Sequence, residues 1–82
     1  MYFVYAIYNP RHDKIYIGQT KDLEERLRMH NEHVLGGYTS RFDGEWILVH
    51  HEEFEARKMM LLREKQLKSF RGREFIRKHI PR

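Results

Sequence analysis

The chain contains no cysteine. That absence excludes disulfides, thiol nucleophiles and thiolate metal sites, so any metal must be held through oxygen or histidine, and it agrees with a reducing compartment. Long apolar runs are missing as well: no stretch approaches the ~18 apolar residues that a membrane span requires. The apolar opening Met1-Tyr2-Phe3-Val4-Tyr5 lacks the basic lead and small-residue cleavage site of a signal peptide. The expectation is a soluble, cytoplasmic protein with no membrane partner. Linkers, internal repeats and low-complexity tracts are also absent, and 82 residues suffice for one core but not for a second, so residues 1–82 are expected to form a single domain.

What the chain does contain is charge, unevenly placed. From Arg57 to Arg82 ten Lys or Arg stand against Glu64 and Glu74, a net of +8, whereas residues 1–56 carry six basic and ten acidic side chains, a net of −4. Each Lys or Arg that neutralises a phosphate releases a condensed counterion, so basic charge gathered in the last third favours a polyanionic partner. A solvated helix surface has the same composition, and charge alone does not separate the two.

Residues Tyr2 to Tyr8 are rich in β-branched and aromatic side chains, Asn9-Pro10-Arg11-His12-Asp13 supplies turn chemistry, and Ile15-Tyr16-Ile17 resumes the strand composition. This predicts an antiparallel hairpin, its second strand ending at Gly18, with Phe3, Tyr5 and Ile7 on one face of the first strand and Val4, Ala6 and Tyr8 on the other. Thr20-Lys21-Asp22 followed by Glu24 and Glu25 is a helix start, and the helix should run to about Asn31. Its buried stripe is marked by Leu23 and Leu27, while Arg26 and His30, also four apart, form a second stripe able to meet one anion. Residues 33–44, with Gly36-Gly37 and Asp43-Gly44, read as a loop. A third strand is expected over Glu45 to Glu52, a helix over Glu53 to Ser69 with Ala56, Met59, Met60, Leu67 and Phe70 on its apolar face, and a short helix from Arg73 to His79. The order is β-β-α-β-α-α: an α+β domain with a small central antiparallel three-stranded sheet flanked by helices.

Glu64 falls at the edge of the apolar face of the second helix, four residues after Met60 and three before Leu67. A carboxylate there needs a partner, either a neighbouring arginine or a hard cation such as Mg²⁺, and simple exposure at the helix edge is the bland alternative. Tyrosine is a common strand residue, so Tyr5 and Tyr16 taken singly belong to core or sheet surface; a phenol is also able to act as a general base or to hydrogen-bond a phosphate. Arg26 has the fork that holds a nonbridging phosphate oxygen, and His30 is a second donor or proton carrier. His12, His33, His50, His51 and His79 show no metal-ligand spacing and read as surface residues.

With these residues placed, the chain resembles the GIY-YIG nuclease superfamily, and within it the small stand-alone members related to the N-terminal domain of the UvrC excision-repair subunit. The resemblance runs over essentially the whole length: Phe3-Val4-Tyr5 as the first motif, Tyr16-Ile17-Gly18 as the second, then Thr20 to Leu27 with His30-Asn31, Tyr38-Thr39, and Arg63-Glu64-Lys65-Gln66-Leu67-Lys68. It implies hydrolysis of a DNA phosphodiester with one divalent ion, Mg²⁺ or Mn²⁺, held by Glu64. Carried over residue by residue, Tyr5 is the first choice of general base, Tyr16 hydrogen-bonds the phosphate or the water, Arg26 clamps the phosphate and His30 assists. Arg26, Lys65, Lys68, Arg71 and Arg73 are the expected nucleic-acid contacts. Three positions depart from the pattern. Phe3 stands where the first motif usually opens with glycine. No asparagine follows Asn31, although many active members carry one beyond the glutamate. Phe70 replaces a common tryptophan and is expected to keep its role as a hydrophobic anchor. The resulting expectation is a metal-dependent DNA endonuclease for branched, single-stranded or damaged forms, with DNA favoured over RNA. The alternative is a binding module that keeps the fold without turnover.

Overall fold

Eight residues of β-forming composition followed by turn residues and seven more give β1 (Tyr2–Asn9) and β2 (Lys14–Thr20). The computed structural model describes residues 1–81, and the remaining elements are α1 (Leu23–Asn31), a 3₁₀ turn (Thr39–Arg41), β3 (Ile47–Phe54), α2 (Arg57–Leu67) and α3 (Phe70–Arg77). The sheet order is β2-β1-β3 and both pairings are antiparallel. The architecture is therefore the expected α+β arrangement, β-β-α-β-α-α, with three antiparallel strands in one sheet.

Because β1 is the central strand it is covered on both faces, and Val4, Tyr5, Ala6 and Ile7 are all buried in succession. Alternation sends Val4 and Ala6 to one side, where they pack with Ile15, Ile17, Met60, Leu67 and Ile76 beneath α2 and α3. Tyr5 and Ile7 go to the other side, with Trp46, Leu23 and Leu27 beneath α1. The sheet is thus the middle of three layers, and no helix among the described residues is long and apolar enough to cross a membrane.

Several boundaries differ from the sequence-based expectation. β2 continues past Gly18 to Thr20, because Gly18 pairs with Tyr5 inside the ladder instead of ending it. β3 begins and ends two residues later than expected, so that Tyr2 pairs with Phe54 and Phe3 with Glu53; α2 consequently starts at Arg57 and not at Glu53. Cross-strand pairing has overridden the helical propensity of this acidic stretch. The last helix starts earlier, at Phe70, because Ser69 caps it by accepting from the Gly72 N–H at 3.2 Å. That cap leaves Phe70 on the outside, 78% exposed, so it is not the anchor expected; Ile76, wholly buried, fills that role. Met59 and Ala56 are exposed too, which narrows the buried face of α2 to Met60 and Leu67.

Candidate active site

The register of the hairpin places two aromatic hydroxyls side by side. Tyr5 pairs with Gly18 and Ile7 with Tyr16, which puts both tyrosines on the α1 face with ring centroids 6.4 Å apart. A Cβ on residue 18 would lie 2.5 Å from Tyr5 Oη and 2.7 Å from its Cζ, so the phenol lies directly over the strand where glycine leaves room. Above it stands His30. Its Nε2 is 2.7 Å from Tyr5 Oη and its Nδ1 is 2.8 Å from Thr39 Oγ1. Tyr5, His30 and Thr39 are each only 2% exposed, so this three-membered chain is sealed along most of its length.

Two local devices hold the helix that carries Arg26 and His30. Asp22 caps its start by accepting from the Glu25 N–H at 3.1 Å. At its end Asn31 grips the backbone of Trp46 from both sides, accepting from its N–H at 2.7 Å and donating to its carbonyl at 3.0 Å. That amide completes backbone bonding just before β3 begins and ties α1 to the sheet.

Burial pushes the Tyr5 phenol well above its ordinary value; Tyr16 adds to the rise, Arg26 opposes it, and Glu64 adds to it. Burial, and after it Arg26, lowers His30 to about 4, so its imidazole is neutral at ordinary pH. Arg26 from α1 and Glu64 from α2 both act electrostatically on the Tyr5 hydroxyl. Tyr16 and His30 therefore flank the Tyr5 hydroxyl, and the charges of Arg26 and Glu64 are both felt there.

A cleft of about 290 Å³ opens beside this point, lined by Tyr16, Arg26, His30, Tyr38, Thr39 and the Gly36-Gly37 loop. Tyr16 and Tyr38 also line a second cleft of about 270 Å³ at the outer edge of β2, with Ile15, Ile17, Lys68 and Arg73. The four basic residues expected on α2 and α3 thus divide. Lys68 and Arg73 adjoin the site, whereas Lys65 and Arg71 line a different and larger groove between α2 and α3 together with Leu62 and Phe75. That groove contains no member of the tyrosine cluster.

Among the described residues, no group of three His, Asp or Glu is placed to hold a metal ion by itself. Glu64 is 15% exposed, and its ion-pair partner is not an arginine but Lys68, 51% exposed and at 3.4 Å. A carboxylate so nearly enclosed, with one loose cationic neighbour, fits a hard divalent ion that keeps most of its waters and takes further oxygens from a phosphate.

Some residues at the site have no part in the sequence-based expectation beyond their place in a motif. Thr39 stands nine residues from His30 within a glycine-containing loop, and nothing in its neighbourhood marks it as a histidine partner. Asn31 follows His30, yet its partner Trp46 is fifteen residues away. His50 is also not the surface residue expected. Its side chain is 16% exposed, bonded to Glu52 at 2.7 Å and packed against Phe75 and His79, while Glu52 in turn is held by Arg63.

A family model described as the GIY-YIG catalytic domain matches residues 1–76. No curated protein and no solved structure matches the chain significantly. With that match spanning nearly the whole length, over a sheet and helices in the family's order, the chain belongs to the GIY-YIG family.

Proposed function

We propose that this chain is a divalent-metal-dependent endonuclease that hydrolyses phosphodiester bonds in DNA. The GIY-YIG catalytic domain implies nuclease activity in general, and nucleases of this family generally use divalent metals. The single observation that carries the finer reading is that Tyr16, Arg26 and His30 line one cleft, with the Tyr5 hydroxyl bonded to His30 behind it and the Glu64 charge felt at that hydroxyl, since in-line attack on a phosphate needs a proton acceptor, a cationic clamp and a metal-binding oxygen within reach of one phosphate.

In this reading Arg26 grips a nonbridging oxygen and offsets the negative charge that builds up on phosphorus. Tyr16, open to the same cleft, donates to the phosphate or orients the attacking water. Tyr5 is a neutral phenol at ordinary pH, so it takes a proton from water only by giving up its own. His30 Nε2, 2.7 Å away and uncharged, accepts that proton, while His30 Nδ1–H donates to Thr39 Oγ1 and so keeps Nε2 free as an acceptor. The water oxygen bonds to phosphorus, the P–O3′ bond breaks, and the departing oxygen takes up a proton from solvent. Mg²⁺ or Mn²⁺, held by Glu64, would supply Lewis-acid charge for the phosphate and the departing oxygen. A role in repair and membership of the UvrC-related branch rest on the motif run Arg63 to Lys68 together with Tyr38-Thr39.

The test is cleavage of plasmid, forked and single-stranded DNA with Mg²⁺ or Mn²⁺ by the wild type, Arg26→Ala and Glu64→Ala proteins. Cutting by the wild type alone is the expected result. Equal cutting by all three would reveal a contaminant, and binding without cutting would leave the chain a nucleic-acid-binding module.

A further inference from the structure

A file of aromatic rings leads away from the candidate site along the outer edge of the sheet. Tyr16 lies 5.2 Å from the His30 ring, Tyr38 is stacked on Tyr16 at 6.1 Å with an interplanar angle of 20°, and Phe42 follows Tyr38 at 5.2 Å. The file is not core: Tyr38 is 39% exposed, and Tyr16 and Phe42 are half-buried. Cations flank it throughout. Arg26 shares one cleft with Tyr16 and Tyr38, Lys68 and Arg73 share the next with the same two rings, and Lys14 lies over the Phe42 ring at 5.6 Å. Tyr38 therefore separates the cleft of the phosphate clamp from a second cleft that has apolar walls in Ile15 and Ile17 and a basic rim.

We propose that this second cleft takes a nucleotide adjacent to the scissile phosphate, its base unpaired and stacked on Tyr38 and its backbone held by Lys68 and Arg73, so that the favoured substrate is single-stranded at the point of cutting. The inference rests on the nuclease reading and adds the substrate class to it. An open aromatic ring bordered by cations is the combination that binds single strands irrespective of sequence, because every base offers a π face and every linkage a charge. A paired base has both faces already covered by its neighbours in the duplex, and it gains nothing from the ring.

The experiment measures fluorescence anisotropy of a labelled oligonucleotide, single-stranded or annealed to its complement, binding to the full chain in EDTA so that no cutting intervenes. Tyr38→Leu is expected to weaken single-strand binding about tenfold while leaving duplex binding within about twofold. Tyr38→Trp should retain or tighten it. An oligonucleotide carrying 2-aminopurine should be quenched on binding the wild type and not on binding Tyr38→Leu, and thermal unfolding of each variant checks that the fold is kept. Equal loss for both forms of DNA, or no loss for either, overturns the inference. If that happens while Arg26→Ala and Glu64→Ala still abolish cutting by an active wild type, the nuclease reading stands alone. A wild type that neither cuts nor binds removes both.

Discussion

The smallest unit with chemical meaning here is the chain from the Tyr5 hydroxyl through His30 to Thr39. Its acid–base behaviour has a definite sign. His30 is near 4 in the folded protein against about 6.5 for an unperturbed imidazole, so between those values the unfolded chain binds the extra proton and stability rises with pH. The contribution is complete above about 6.5 and is lost as pH falls through the folded value. Urea unfolding across this window should show the slope in the wild type and a flatter profile in His30→Asn, and an NMR titration of the folded protein should find a midpoint near 4. A midpoint at the ordinary histidine value would remove the neutral acceptor from the mechanism. Gly18 gives a second expectation. A methyl there meets the Tyr5 hydroxyl at 2.5 Å and its Cζ at 2.7 Å, so the phenol must shift from the position in which it bonds His30. Gly18→Ala should lower kcat on the order of a hundredfold, the usual share of a general acid–base group, at a stability cost of about 1–3 kcal/mol. Retained kcat would show that the hydroxyl position is not critical.

At the scale of elements, the turn between α2 and α3 decides where the basic side chains go. Ser69 ends one helix by donating to the Gln66 carbonyl at 2.6 Å and starts the next by capping it. Three residues on, a Cβ at Gly72 would run into the backbone of Gln66 and Leu67, atoms that belong to α2 itself. In a solvated helix Gly→Ala gains ~1 kcal/mol from propensity. Here the overlap dominates, and Gly72→Ala should lose about 3 kcal/mol or more, seen as a lower Tm. A higher Tm would mean that the two helices pack less closely than described. Element by element, the hairpin, α1 and the three-stranded sheet were legible from composition and turn residues. The start of α2 was not, because Glu53-Phe54-Glu55 is acidic and helix-compatible, and only the pairing of Phe54 with Tyr2 across the sheet makes it a strand. Phe70 was misjudged for a related reason: its burial depended on how sharply the chain turns at Ser69, a tertiary property with no local signal. Tyr5, Tyr16 and His30, which the fold brings into contact, stand in ordered motifs of the sequence, whereas Thr39 was invisible as a partner because a hydroxyl in a loop has no periodicity to betray its contact.

Across the whole molecule, the positive charge is segregated in sequence but not uniformly delivered to the site. Lys68 and Arg73 border it, while Lys65 and Arg71 line the separate groove between α2 and α3. Neutralising Lys68 and Arg73 together should weaken DNA binding and make the plot of log affinity against log salt shallower by about 2, one unit per phosphate contact. The same pair of changes at Lys65 and Arg71 should have a smaller effect, and an equal effect would mean that the nucleic acid wraps both sides. The Tyr5 ring occupying the space where residue 18 would bear a side chain has a last consequence, one of heredity. The constraint runs one way: while tyrosine is kept at position 5, selection for an active descendant holds position 18 at glycine, and a library randomised at 18 alone should return the parent.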